Sequence, residues 1–286
     1  MDNAATPLEV FIVHWNQADE CLATVNALRA QGIPLRITVI DNHSAPEAIA
    51  SLKARLDQAV RFLPLNENRG WGAALNIVVR EWVDARATRY AIISAHDVSL
   101  EPDCLARLVT TAESDPRVGI ACPQYHDQMV VRFSNWRGVV PESALQQPIG
   151  TAQVVDAPHG TLLLLRRACI EEIGLFDERY FAYGDEHELG LRAARRGWKV
   201  VMVWGAIVIN RGTSTSSALR NYLFARNSLL LVHDYRGRFS AWARALLILA
   251  NALRLKLRAP RETFAIARWR GVRDFFSGRF GAAFRT

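Results

Sequence analysis

No apolar run in the 286 residues approaches the roughly 18 to 20 needed to cross a bilayer, so no spanning helix is expected. The opening, Met1 to Glu9, carries acidic residues and no apolar stretch, which excludes a secretory signal there. Cysteine is scarce: Cys21, Cys104, Cys122 and Cys169 have neither metal-type nor redox-type spacing. They read as reduced, buried thiols of a cytosolic protein. Internal repeats and low-complexity linkers are lacking too. What is present is ordinary globular material, 50% apolar and 22% charged, in a chain long enough for a large core.

Acidic residues are missing from one region in particular. From Arg211 to the end there are 15 Lys+Arg and 3 Asp+Glu, whereas the first 210 residues carry 20 against 25. Such segregation points to an anionic partner for the tail. Within it, Trp242, Leu246, Leu249, Leu253 and Leu257 form an apolar stripe at helical spacing, with Arg244, Asn251, Arg254 and Arg258 opposite. The 242–258 segment therefore reads either as a helix packed on the body or as an interfacial helix on anionic lipid. Nucleic acid is disfavoured, because the arginines follow an amphipathic helix with few aromatic stacking platforms.

Short β-branched runs alternate with amphipathic segments through the first 122 residues. Strands are expected at 9–14, 35–40, 61–65, 90–95 and 118–122, with helices at 18–31, 46–56, 71–83 and 102–112. This alternation predicts an α/β fold whose parallel sheet is covered on both faces, with ligands at the strands' carboxyl ends. Polar residues cluster at that edge: Trp15 and Asn16, then Asp41, Asn42 and Ser44, then Asn66 to Gly70, then His96 and Asp97. A further helix is expected at 185–196, a strand at 198–209, and basic helices from Ser217.

Each candidate has two readings on residue chemistry. Asp41 is either a turn residue or an acceptor for a nucleobase or ribose. The loop Asn66 to Gly72 has two glycines before a helix, which lets backbone approach a phosphate. It lacks the Gly-Lys-Ser/Thr ending of a P-loop. Asp97 is a turn acid or an oxygen ligand for Mg²⁺ or Mn²⁺ beside a diphosphate. His96 supports that metal or merely the turn. Asp185 and Glu186 either complement a helix dipole or include a general base.

Together these segments resemble glycosyltransferase family 2, nearest its rhamnosyltransferase-like and galactofuranosyltransferase-like bacterial members. The likeness covers roughly Val10 to Ser214. It is carried by Val10–Asn16 (VFIVHWN), Val39–Ser44 (VIDNHS), Asn68–Asn76 (NRGWGAALN) and Gly174–Glu186 (GLFDERYFAYGDE). The resemblance implies a GT-A fold over residues 1–214, Rossmann-like with a mostly parallel sheet, plus a basic helical region over 215–286. It also implies an inverting transfer from a nucleotide-diphosphate sugar, dTDP-rhamnose among the candidates, to a saccharide or lipid-linked saccharide.

Residue by residue, the likeness implies that Trp15, Asp41, Asn68, Gly70, Asn76 and Asp97 lie on the donor side, and that Gly160 and Tyr183 border the acceptor. Asp97 corresponds to the last acid of the family's D-x-D metal motif, with His96 and Asn210 as further candidates at the metal. Glu186 corresponds to the base, with Asp185 beside it. Three departures stand out: Ala95-His96-Asp97 lacks the first acid, Glu-Asp is inverted to Asp185-Glu186, and a late His is replaced by Asn210. The missing acid keeps a second reading open, a membrane-associated nucleotide-sugar-binding protein of the same fold with weak or no turnover. The expected location is cytoplasmic, peripheral on the inner face of the cytoplasmic membrane.

Overall fold

The computed structural model describes residues 7–125, 129–134, 136–210, 215–258 and 264–282. The alternating half of the sequence becomes β1 (Leu8–His14), α1 (Ala18–Arg29), β2 (Leu35–Asp41), α2 (Pro46–Arg55), β3 (Arg61–Pro64), α3 (Trp71–Ala85), β4 (Tyr90–Ala95), β5 (Val98–Leu100) and α4 (Cys104–Ser114). Then come β6 (Val118–Tyr125), β7 (Met129–Ser134), β8 (Gly138–Ser143), β9 (Ala152–Val154), β10 (Leu162–Arg166), α5 (Arg167–Ile173), α6 (Asp185–Arg195) and β11 (Lys199–Asn210). Three helices close the chain, α7 (Ser217–Arg236), α8 (Arg238–Arg258) and α9 (Phe264–Phe276).

The main sheet runs β3-β2-β1-β4-β10-β6-β11-β5. Its first four strands are parallel, as the alternation predicts. Along β1, Val10 and Ile12 enter one core with Val25, Leu105 and Leu108 from α1 and α4. Phe11 and Val13 enter the other, with Leu75, Val78 and Leu189 from α3 and α6. This period-two alternation is what buries both faces of the sheet. All four cysteines are buried and free, and burial pushes each thiol up to about 12, which leaves them inert packing groups.

One placement differs from the simple alternating pattern. The strand at Val118 does not join β4, because β10 lies antiparallel between them. Leu162 to Leu165 are wholly buried. A run hidden on both faces has the same sequence pattern in either direction, so periodicity does not reveal its sense.

The carboxyl-terminal helices are part of the same packed body. Leu230, Leu231 and Val232 of α7 share a core cluster with Tyr180 and with Leu191 of α6. Most of the apolar stripe on α8 faces outward, while Leu249 packs against the cluster of Ala225, Leu229, Ala245, Ile248 and Val272. Ala241, Ala245, Ile248 and Ala252 are buried, whereas Trp242, Leu246, Leu253 and Leu257 are 53%, 65%, 62% and 74% exposed. Small residues let the helices approach closely. On α9, a Cβ at Gly271 would lie 2.5 Å from the Tyr222 carbonyl of α7.

Candidate active site

Strand register brings the carboxyl ends together. His14 sits beside Asp41 and Val13 beside Ala95, so the residues just beyond β1, β2 and β4 emerge on one rim. That rim opens on a cavity of about 870 Å³. Ten of the twelve residues singled out from the sequence line it; Asp41 and Asn76 do not.

Asp41 is fully buried. Its carboxylate accepts from His14 Nδ1 at 2.9 Å and from the Ser44 N–H at 3.1 Å. Burial alone would raise its pKa, but these hydrogen bonds outweigh it and hold the group below the usual carboxylate range. In this structure Asp41 ties β1 to the turn that follows β2 and does not itself line the cavity. Asn76 does not line the cavity either. It is buried on α3, donates to the Phe176 carbonyl at 3.0 Å and Glu178 Oε1 at 2.9 Å, and accepts from the Phe176 N–H at 2.9 Å. It clips the 176–178 segment to α3.

Asn42, read from the sequence only as one of the polar residues at the rim, lines the cavity and orders the glycine loop. Its amide donates to Asn68 Oδ1 and to the Gly70 carbonyl, each at 3.1 Å, and its oxygen accepts from the Arg69 N–H at 2.9 Å. The loop's glycines admit protein rather than phosphate. The Trp71 N–H donates to the Phe181 carbonyl at 2.7 Å, and the Gly72 N–H to Asp185 Oδ2 at 3.0 Å. A Cβ at Gly70 would stand 2.1 Å from the Phe181 oxygen, and one at Gly72 2.9 Å from Asp185 Oδ2. The start of α3 is thus met by the Asp185 carboxyl group, which accepts from the Gly72 N–H.

This contact separates the two neighbouring acids. Asp185 is 1% exposed, and burial, reinforced by the charge of Glu186, raises its pKa well above the usual carboxylate range. Glu186 instead lies on the cavity wall, its side chain 12% exposed. Its Oε2 accepts from the Gly184 N–H at 3.0 Å, and its Oε1 lies 3.5 Å from His187 Nε2. Gly160 packs flat against it, since a Cβ there would lie 2.9 Å from the Glu186 carboxyl carbon. Burial lowers the His187 pKa to about 4, so its ring is neutral near pH 7.

Across the cavity, Asp97 Oδ1 accepts from the Asn210 amide at 2.9 Å. Burial raises the Asp97 pKa, against the opposing influence of His96 and Asn210. Both ring nitrogens of His96 have partners in this structure: Nδ1 meets the Val13 carbonyl at 3.0 Å and Nε2 meets the Gln17 side-chain amide at 2.8 Å. Burial lowers its pKa, consistent with a neutral ring bracing the rim. Among the described residues no group of three or more His, Cys, Asp or Glu could hold a metal ion.

The segment before α6 is shaped by α7. Phe181, Tyr183 and Gly184 have φ of 67°, 64° and 105°. Left-handed backbone costs of order 1–3 kcal/mol at a non-glycine residue, so neighbours must over-determine it. Asn227 does so, donating to the carbonyls of Tyr180, Ala182 and Tyr183 at 2.8–2.9 Å. Arg226, fully buried, donates to the carbonyls of Tyr180 and Gly281 at 2.8 Å. Leu219 and Arg220 of α7 also line the cavity. The strand–helix alternation carries no sign of this role, because residues 215–286 read from sequence only as a basic helical region.

A Rossmann-like sheet with a rim cavity, completed by a helix that carries an acidic pair, is the GT-A fold. Residues 6–227 match the model of the Glycosyltransferase like family 2, and the chain belongs to that family. It is a glycosyltransferase. Among similar proteins is an N-acetylglucosaminyl-diphospho-decaprenol L-rhamnosyltransferase of Mycobacterium tuberculosis, 27% identical over 253 residues, 74% of this chain and 78% of that protein. An O-antigen biosynthesis protein of Myxococcus xanthus is 27% identical over 218 residues, 68% of this chain and 16% of its own length. A mannosyltransferase of Pyrobaculum calidifontis, solved with GDP-Man and Mn²⁺, has the same fold at TM-score 0.59 and 16% identity, over 97% of this chain and 90% of that one.

Proposed function

We propose that this glycosyltransferase moves a sugar, with inversion, from a nucleotide-diphosphate sugar to a hydroxyl of a lipid-linked saccharide. One observation carries the reading: Glu186 stands on the cavity wall against Gly160, while its neighbour Asp185 is buried on the Gly72 N–H. The base is therefore Glu186. It takes the proton as the acceptor oxygen bonds to the anomeric carbon and the bond from that carbon to the diphosphate oxygen breaks. Trp15 and the Asn68–Gly70 turn border the donor, while Gly160 and Tyr183 border the acceptor.

Asp97 suits a divalent cation that arrives with the diphosphate. Mg²⁺ and Mn²⁺ favour oxygen ligands, and Mg²⁺ is commonly held by one or two carboxylates together with substrate phosphates. Such a cation would offset charge on the departing diphosphate. Asn210 orients the Asp97 carboxylate for that role. Rhamnose from a dTDP donor and a diphospho-polyprenol acceptor rest on likeness to the mycobacterial relative. An acceptor of that kind puts the enzyme on the inner face of the cytoplasmic membrane, and no helix among the described residues is long and apolar enough to cross one.

General-base assistance typically contributes about 10²- to 10⁴-fold in rate. Glu186→Gln is expected to lose transfer by that order while the donor still raises its melting temperature. If Asp185→Asn abolished transfer and Glu186→Gln retained it, the base assignment would be overturned.

A further inference from the structure

The outward-facing apolar residues of α8 continue onto α9. The Trp242 and Phe276 rings lie 4.4 Å apart, joining the two helices at the surface. Around them Phe239, Leu246 and Trp269 are 81%, 65% and 54% exposed. Single exposed apolar side chains are normal, but a contiguous set of large ones marks a contact surface.

The exposed charges on these two helices have one sign. Arg238, Arg254, Arg258, Arg270 and Arg273 are exposed. From Arg238 to Ala282 the sole acid among the described residues is Asp274, which is 3% exposed and bonded to Arg273, Arg279 and Tyr222. A second copy docking face to face would bring arginines against arginines, and like charges across an interface are unfavourable. A bilayer of anionic lipid supplies the opposite charge and a hydrocarbon boundary for Trp and Phe. Arginines can reach the headgroups while their stems lie along the apolar layer.

We propose that α8 and α9 together form a docking face for the surface of an anionic bilayer. The α8 helix is 21 residues long, and five of them, Arg238, Arg244, Arg254, Lys256 and Arg258, are basic, so it lies along the surface rather than across it. The face is tied to the cavity, because Ala267 of α9 shares a cluster with Phe181, Tyr222 and Leu223, with Tyr183 packed against it. Docking therefore brings the acceptor lip next to the headgroups. That purpose rests on the lipid-linked acceptor proposed above, whereas the docking itself does not.

The test is sedimentation of the full chain with vesicles of phosphatidylglycerol and phosphatidylcholine in equal parts, against phosphatidylcholine alone. Binding to the anionic vesicles, weakening with added salt, is expected, with a blue shift of tryptophan emission. Trp242→Ser combined with Trp269→Ser should lower the partition coefficient at least tenfold. Arg254→Gln with Arg270→Gln should lower it about thirtyfold at low salt, at roughly 1 kcal/mol per basic residue. Both variants should keep the wild-type melting temperature and transfer to a short soluble acceptor. Equal binding to both vesicles, undiminished binding by the variants, or a dimer in sedimentation velocity that the tryptophan variant abolishes would each overturn the proposal. Vesicle binding by a chain that transfers no sugar would instead refute the functional reading alone.

Discussion

The side-chain amide of Asn227 on α7 donates to the carbonyl of Tyr183 at 2.8 Å, joining the carboxyl-terminal helices to the residue two before the acidic pair. The Ala182 carbonyl accepts from the same amide, and the Tyr180 carbonyl accepts from both this amide and Arg226. Losing a donor to buried groups costs about 1–3 kcal/mol for each group left unsatisfied. Asn227→Ala should therefore lower stability by about 2–3 kcal/mol in urea unfolding and cut kcat/KM more than tenfold. Asn227→Asp keeps the shape but loses the donors, so it should behave like the alanine variant. Full activity of Asn227→Asp would show that these bonds do not position Glu186.

Gly160 makes a different demand. A methyl group there meets the end of a flexible side chain, 2.9 Å from Glu186 Cδ, and Glu186 can swing aside. Gly160→Ala should therefore leave the melting temperature nearly unchanged. Displacement of a reacting group by about 1 Å can cost on the order of 10²-fold, and kcat should fall by that order. A variant with unaltered kcat would mean that Glu186 does not act from its observed position.

Burial of His187 has a measurable pH signature. Its folded pKa is lowered to about 4, from an unperturbed value of about 6.5 in the unfolded chain. The unfolded state then binds the extra proton between those limits. The contribution to stability is complete above about pH 6.5 and is lost as pH falls toward about 4, on the order of 3 kcal/mol. His187→Gln should flatten the stability profile in that window, as read by urea unfolding at successive pH values. An unchanged slope would show that the ring protonates normally in the folded protein.

Removal of divalent cations tests Asp97. Dialysis against EDTA should abolish or sharply lower transfer, with Mn²⁺ or Mg²⁺ restoring it. Asp97→Asn should raise the metal concentration needed for half-maximal rate and weaken donor binding. Undiminished turnover in EDTA would remove the cation from the mechanism and leave Asp97 as a partner of Asn210 alone.

Much of this organisation was legible residue by residue. The runs EVFIVH, LRITVI and YAIISA alternate core residues between two faces, and that pattern makes a covered parallel sheet the only economical burial. Strand ends then fix one rim, which is why Trp15, Asn68 and Asp97 meet at a single cavity. The direction of β10 was not legible, since Leu162 to Leu165 are buried on both sides. Nor was the separation of Asp185 from Glu186. Adjacent acids at a helix start have equal local standing, and only the distant Gly72 N–H distinguishes them.

From the sequence alone came the α/β architecture, the rim, the acidic pair and the basic tail, because each depends on periodicity or composition within one segment. The tertiary structure decided what those residues touch. It placed Asp41 on His14 and Asn76 on the 176–178 segment, away from the cavity, and engaged both ring nitrogens of His96. It also turned most of the α8 stripe outward, since close packing of α7, α8 and α9 selects alanine and glycine for the inner faces. Those outcomes depend on contacts between residues tens to more than a hundred positions apart, and no local pattern encodes which partner arrives.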